Sequence, residues 1–360
     1  LGESRLSEVP ASLCACARLE DLGLAQNRIA WLPAEVGQLG SLRSLVVAAG
    51  KFAHLPASIS GLGSLVQLEL SGSKLDVLPE SICELACLRG LRVSDNRLTA
   101  LPARIGRLRR LRSLRLDGNL LERLPDLGEP VDDDDDDVAS LIELWCNANR
   151  LIELPHSLGS LLSLEELHAS SNCIRELPCS VGRLRKLRRL LVDDNRLVRV
   201  PAELVGCDAC VELGLAANEL RALPDEVFRM PALRELRLNS NRLTAKPASL
   251  AHLPEACDVW LHDNPFGDGF SAPRRPTVAV LLPGLVRSYS HGGHWRAVAR
   301  RYAAIYDLHF FVCAWRIRGA PSNNFSQEQD LRTAEPVCIE ALAAAYPPKT
   351  TIELVDEAEY

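Results

Sequence analysis

Few residues in this chain have the types and spacing that metal or catalytic chemistry needs: the pair Cys207-x-x-Cys210, the histidines His291 and His294, and six consecutive aspartates, Asp132 to Asp137. A structural zinc ion takes four ligands, and the cysteine pair has no second pair at matching spacing. The two histidines open a predicted helix, where polar residues are ordinary. The aspartate run lacks the glycine and the interspersed acids of a calcium loop, so six like charges read as a solvated insertion that repels itself. Gly267-x-Gly269-x-x-Ala272 spells a dinucleotide fingerprint, but it precedes a predicted strand at Thr277 where the fingerprint must follow one. Asn324-Phe325-Ser326 is a glycosylation-type triplet. No phosphate-binding Walker loop and no His-Glu-x-x-His stands anywhere. The motifs therefore predict no catalytic residue, no metal site and no cofactor.

Recognition by surface contact is the chemistry that remains. Its candidates are Arg92, Arg115, Trp145, His168, Arg189, Arg237, Trp260 and His262, since Trp and Arg are the types that most often anchor protein interfaces. An indole on a solvated sheet face has little structural reason to be there, which singles out Trp145. Any one of the arginines taken alone reads more readily as a solvated strand residue.

What positions these residues is a repeat. The pattern Leu-x-x-Leu-x-Leu-x-x-Asn-x-Leu-x-x-Leu-Pro is clearest at Leu88-Leu91-Val93-Asn96-Leu98-Leu101-Pro102 and at Leu19-Leu22-Leu24-Asn27-Ile29-Leu32-Pro33. The asparagine place is held by Asn27, Gly50, Ser73, Asn96, Asn119, Asn149, Asn172, Asn195, Asn218, Asn241 and Asn264, at intervals of 23 with a single exception of 30. A truncated copy, Ser4-Leu6-Val9-Pro10, stands in register before the first. Leu-x-x-Leu-x-Leu predicts a short strand with alternate residues inward, and the Pro-led half predicts a short helix or 3₁₀ turn returning along the outside. One unit cannot bury its own leucines, so stacked neighbours must share a continuous core. The inward asparagines are expected to satisfy backbone groups of adjacent turns, with a looser stack where Gly50 and Ser73 interrupt them. Lys246 before Pro247 and Asn264-Pro265-Phe266 mark the expected closing end.

These residues resemble the leucine-rich-repeat family. The 23-residue unit with Leu-Pro and a following Ile/Val-Gly-x-Leu is similar to the Ras-group class, of the Ras-suppressor, Scribble and plant intracellular Ras-group type. The resemblance implies an α/β solenoid: a curved parallel sheet with helices or 3₁₀ turns on the convex side, and a concave face formed by the residues flanking each strand leucine. It implies a protein-protein interaction scaffold or recognition module, with a Ras-type GTPase or its regulator as a candidate partner.

The rest of the chain has a different composition. Of 64 leucines, 57 precede Pro265, whereas all five tyrosines follow it. We therefore divide the chain into a solenoid at 1–266 (eleven repeats and the truncated one, with an acidic insertion at 126–138), a linker at 267–276, and an incomplete α/β domain at 277–360. Apolar runs at Thr277–Leu282, Leu308–Trp315 and Thr350–Val355, with helical patterns between, predict a β-α-β-α-β, Rossmann-like segment. Val280-Leu-Leu-Pro-Gly284-Leu-Val-Arg287 and Asp307-Leu-His-Phe-Phe-Val-Cys-Ala-Trp315 resemble an uncharacterised glycosyltransferase-like family, although Pro283 stands where a small polar residue is usual. That resemblance implies a nucleotide-sugar site at Gly284, Arg287 and Trp315, with the repeats recruiting substrate.

Charge narrows the partners. The 41 Lys and Arg face 47 Asp and Glu, and without the aspartate run the two counts are equal, so no basic nucleic-acid surface dominates. The longest apolar candidate, Val278 to Val286, is broken by Pro283-Gly284, so no membrane span is predicted. Most of the twelve cysteines align with leucine or small-residue places of the repeat; they are expected to be buried and reduced, as in the cytoplasm.

Overall fold

The computed structural model describes residues 6–48, 50–128 and 141–266. The linker, the predicted α/β segment with Gly284, Arg287 and Trp315, both histidines His291 and His294, and the Asp132–Asp137 run lie outside the described residues.

Among the described residues eleven three-residue strands form one parallel sheet in strict chain order. They are β1 (Asp21–Gly23), β2 (Ser44–Val46), β3 (Gln67–Glu69), β4 (Gly90–Arg92), β5 (Ser113–Arg115), β6 (Glu143–Trp145), β7 (Glu166–His168), β8 (Arg189–Leu191), β9 (Glu212–Gly214), β10 (Glu235–Arg237) and β11 (Asp258–Trp260). The central residue of each points inward, and from Leu45 through Leu236 these side chains are at most 1% exposed. Residues pair across strands with their equivalents one repeat away, and the 30-residue interval falls between β5 and β6, where Leu114 still meets Leu144. The longer interval therefore leaves the register of the sheet unbroken.

The expected asparagine ladder is present. Asn172 accepts the Leu151 N–H at 2.9 Å and donates to the carbonyls of Cys146 and Ala169, each at 3.0 Å. Asn96, Asn119, Asn149, Asn195, Asn218, Asn241 and Asn264 repeat this pattern. Asn27 accepts the Leu6 N–H at 3.0 Å, which ties the truncated copy to the stack. At Ser73 only a long 3.5 Å bond to the Val47 carbonyl replaces the amide. The interruption is polar, because Phe52, Leu68 and Leu70 beside it are at most 1% exposed.

A turn that the leucine pattern does not announce precedes each asparagine. Gln26, Asp95, Ala148, Ser171, Asp194, Ala217, Ser240 and Asp263 all have φ between 51° and 56°, while glycine fills the place at Gly72 and Gly118. Left-handed backbone costs a non-glycine residue about 1 kcal/mol, and the amide ladder that follows offsets it.

The convex side is made of 3₁₀ turns, mostly opened by proline, as at Pro178 before Cys179–Arg183 and Pro201 before Ala202–Gly206. Neighbouring turns approach so closely that a Cβ on Gly206 would run into the Gly182 carbonyl oxygen. This is the physical reason for the Gly in Ile/Val-Gly-x-Leu. Beside the long repeat a void of about 20 Å³ is lined by Ile105, Leu108, Leu111, Leu127, Leu141 and Leu161. It has room for no more than about one water molecule.

The cysteine expectation needs correction. Cys14, Cys146, Cys207 and Cys210 are buried, but Cys16 and Cys179 are exposed and Cys83, Cys87, Cys173 and Cys257 are intermediate. Cys179 shares its place with Ala34, and both open a 3₁₀ turn toward solvent. A small residue in a repeat position thus marks a surface site as readily as a core one. All ten described cysteines are free thiols.

Candidate functional site

Stacking in register converts sequence spacing into rows on the concave face. One row runs Arg92, Arg115, Trp145, His168, Leu191, Gly214, Arg237, Trp260 across β4 to β11. Two residues earlier in each strand, a second row runs Ser113, Glu143, Glu166, Arg189, Glu212, Glu235, Asp258. Adjacent strands lie about 4.8 Å apart, so side chains in a row are forced into contact.

Arg115, Trp145 and His168 form a stack. The Arg115 guanidinium carbon lies 4.1 Å above the indole centre, and the His168 ring lies 4.5 Å from the indole with 13° between planes. Arg115 also pairs with Glu143 at 3.3 Å, and the His168 Nε2 lies 3.3 Å from a Glu166 carboxylate oxygen. Both faces of Trp145 are covered, and its Nε1 has no hydrogen-bond partner in the structure. His168 is 3% exposed, so imidazole serves here as packing for the indole more than as a free contact.

Arg189 bridges Glu166 at 3.1 Å and Glu212 at 3.3 Å, with half of its side chain exposed. Arg237 is held deeper, against Asp193, Glu212 and Glu235, with its guanidinium 5.5 Å from the centre of Trp260. Burial works against the Arg237 charge, but Asp193, Glu235 and Glu212 outweigh it and push its pKa above the ordinary arginine value. The group is a fixed cation at any working pH.

The register thus brings together seven of the eight predicted residues in two adjacent rows. His262 stands just beyond β11, with its Nε2 3.9 Å from Asp263. Trp145 is partly covered and Trp260 is 7% exposed, where sequence reasoning expected open indoles. Lateral packing between long side chains on adjacent strands is the cause. Arg189 and Arg92 remain the most open, each with about half of its side chain exposed, and Arg92 lies 3.8 Å from Glu69.

Sequence reasoning passed over the carboxylates. Glu143, Glu166, Asp193, Glu212 and Glu235 partner the arginines, and the signal was available: Glu166 and Glu212 stand 23 residues before and after Arg189. Among the described residues no group of three or more His, Cys, Asp or Glu is arranged to hold a metal ion, and no helix is long and apolar enough to cross a membrane. The buried thiols are poor nucleophiles: desolvation pushes Cys207 and Cys210 up to about 12.

No family model and no curated protein matches the chain. Solved structures do. A leucine-rich-repeat protein of Leptospira interrogans is 26% identical with a TM-score of 0.55, over 73% of this chain and 77% of that one. PEPR1, solved as PEPR1-AtPEP1, is 29% identical with a TM-score of 0.61, and YopM from Yersinia enterocolitica is 25% identical with a TM-score of 0.53. This chain carries a leucine-rich-repeat solenoid. The match takes in 71% of this chain but 37% of PEPR1, and 73% of this chain but 49% of YopM. The leucine-rich-repeat architecture is thus common to the compared chains, whose lengths differ.

Proposed function

We propose that this protein is an interaction scaffold or recognition module that holds a peptide or protein partner on the concave face of the repeats, over β4 to β11. The observation that carries the reading is the paired row structure there, in which aromatic, guanidinium and carboxylate groups are fixed in place before any partner arrives. Side chains already ordered lose little entropy on binding, which is what a recognition surface requires. PEPR1, similar in fold, was solved together with AtPEP1, which supports a peptide or protein as the ligand class. Arg92, Arg115, Trp145, Arg189, Arg237 and Trp260 are the proposed contacts, with His168 backing Trp145 and His262 at the margin.

The strict 23-residue unit supports placement in the Ras-group class, and with it a Ras-type GTPase or regulator as partner. Ten free thiols support a reducing, cytoplasmic setting. The glycosyltransferase-like reading of 277–360, with its site at Gly284, Arg287 and Trp315, rests on sequence wording outside the described residues and is a separate proposal. Calorimetric titration of the purified chain with Ras-type GTPases, each loaded with GDP or with a non-hydrolysable GTP analogue, tests the main reading. A complex that weakens at least tenfold in Trp145→Ala, at unchanged melting temperature, is expected. A complex indifferent to that change contradicts the concave-face assignment, and no complex with any GTPase removes this partner class.

A further inference from the structure

The concave face does not carry its charge evenly. Over β1 to β4 its flanking positions hold two carboxylates, Asp21 and Glu69, and one guanidinium, Arg92. From β5 to β11 they hold seven carboxylates, Asp117, Glu143, Glu166, Asp193, Glu212, Glu235 and Asp258, against three guanidiniums, Arg115, Arg189 and Arg237. All three arginines are already paired within the face, so the surplus of four negative charges is what a ligand meets. A second observation points the same way. Asn239 is 2% exposed, just beyond β10 on this face, and its Oδ1 acceptor has no partner. The Trp145 Nε1 donor is likewise unfilled.

We infer that the β5–β11 half of the concave face binds an extended peptide segment rich in Lys or Arg. This rests on the recognition reading above and names the chemistry of its partner. Cationic side chains answer the carboxylate surplus, and the unfilled Asn239 Oδ1 acceptor buried beneath the face adds to the same negative field. From β6 to β11 the row spans about 24 Å at ~4.8 Å per strand, which roughly seven or eight extended residues cover at ~3.3 Å each. Arg189, at the centre of the carboxylate row, divides the acidic surface in two and repels a cation placed over it.

The test uses the full chain and three fluorescent eight-residue peptides in which Lys, Glu or Thr alternates with Ser, read by anisotropy at low and moderate salt. The Lys peptide should bind, more weakly as salt rises, and the Glu and Thr peptides should not. Glu143→Gln combined with Asp258→Asn should weaken binding at least threefold, and Arg189→Gln should tighten it by a similar factor. Glu203→Gln with Glu226→Gln, on the exposed convex turns, should leave it unchanged. Replacing Asp132–Asp137 by asparagines separates this face from the acidic run; binding lost with the run and kept in the concave variants overturns the inference. So does failure of the Lys peptide to bind. Binding of the Thr or Glu peptide that is abolished by Trp145→Ala overturns the inference but preserves the recognition reading; binding of any peptide that no concave change moves counts against both.

Discussion

At the scale of single residues, the asparagines do most of the polar work in the solenoid, because each serves two repeats at once. Asn172→Ala leaves the Leu151 N–H and the Cys146 carbonyl buried without this partner. The expected cost is about 2–4 kcal/mol in a urea denaturation curve. A cost under ~0.5 kcal/mol would mean that water replaces the amide and that the ladder is not a source of stability. The cysteines make a second prediction at this scale. With Cys207 and Cys210 pushed up to about 12 by burial, iodoacetamide at pH 7.5 should label exposed Cys16 and Cys179 and spare these two, as read by peptide mass spectrometry. A thiol held protonated in the folded state contributes stability in full below its ordinary value of 9.0, and loses it as pH climbs toward about 12. A Cys207→Ala, Cys210→Ala variant should therefore show a shallower alkaline decline than the parent.

At the scale of elements, the strand, the outer turn and the asparagine were all legible, because each has a residue type it cannot do without. Leucine fills the core at alternate strand positions, proline opens the turn, and glycine admits the neighbouring turn at Gly182 and Gly206. The left-handed residue before each asparagine was not legible. Gln, Asp, Ala and Ser all occupy it, since its conformation is imposed by the bonds that follow and not by its side chain. Gaps in the ladder were legible at Gly50 and Ser73, but their consequence was overstated, because leucine packing continues through them. Ser73→Asn should restore the missing amide bonds to the Val47 carbonyl and to the preceding turn, for a gain of about 0.5–1.5 kcal/mol by urea denaturation. No gain would place the weak point of these repeats elsewhere.

At the scale of the whole molecule, the concave face shows what sequence spacing reveals about a site and what it conceals. The 23-residue register predicts which residues stand in line across the strands, and those of β4 to β11 pair in that register. How far each is spent on its neighbours depends on lateral geometry. Arg237 looked like an anchor and is enclosed by Asp193, Glu212 and Glu235, while Trp145 is sandwiched between Arg115 and His168. The face is thus a preassembled surface whose outward chemistry is that of its surplus carboxylates, and its partner selectivity should follow charge and shape together. Carboxylate footprinting tests this most directly: the full chain is treated with a water-soluble carbodiimide and an amine, free and with a GTPase or basic peptide bound at saturation. Protection of Glu143, Glu166, Glu212, Glu235 and Asp258, with Glu203 and Glu226 on the convex side labelled as in the free chain, is the predicted result. Protection of the convex pair, with the concave carboxylates still labelled, would contradict the account.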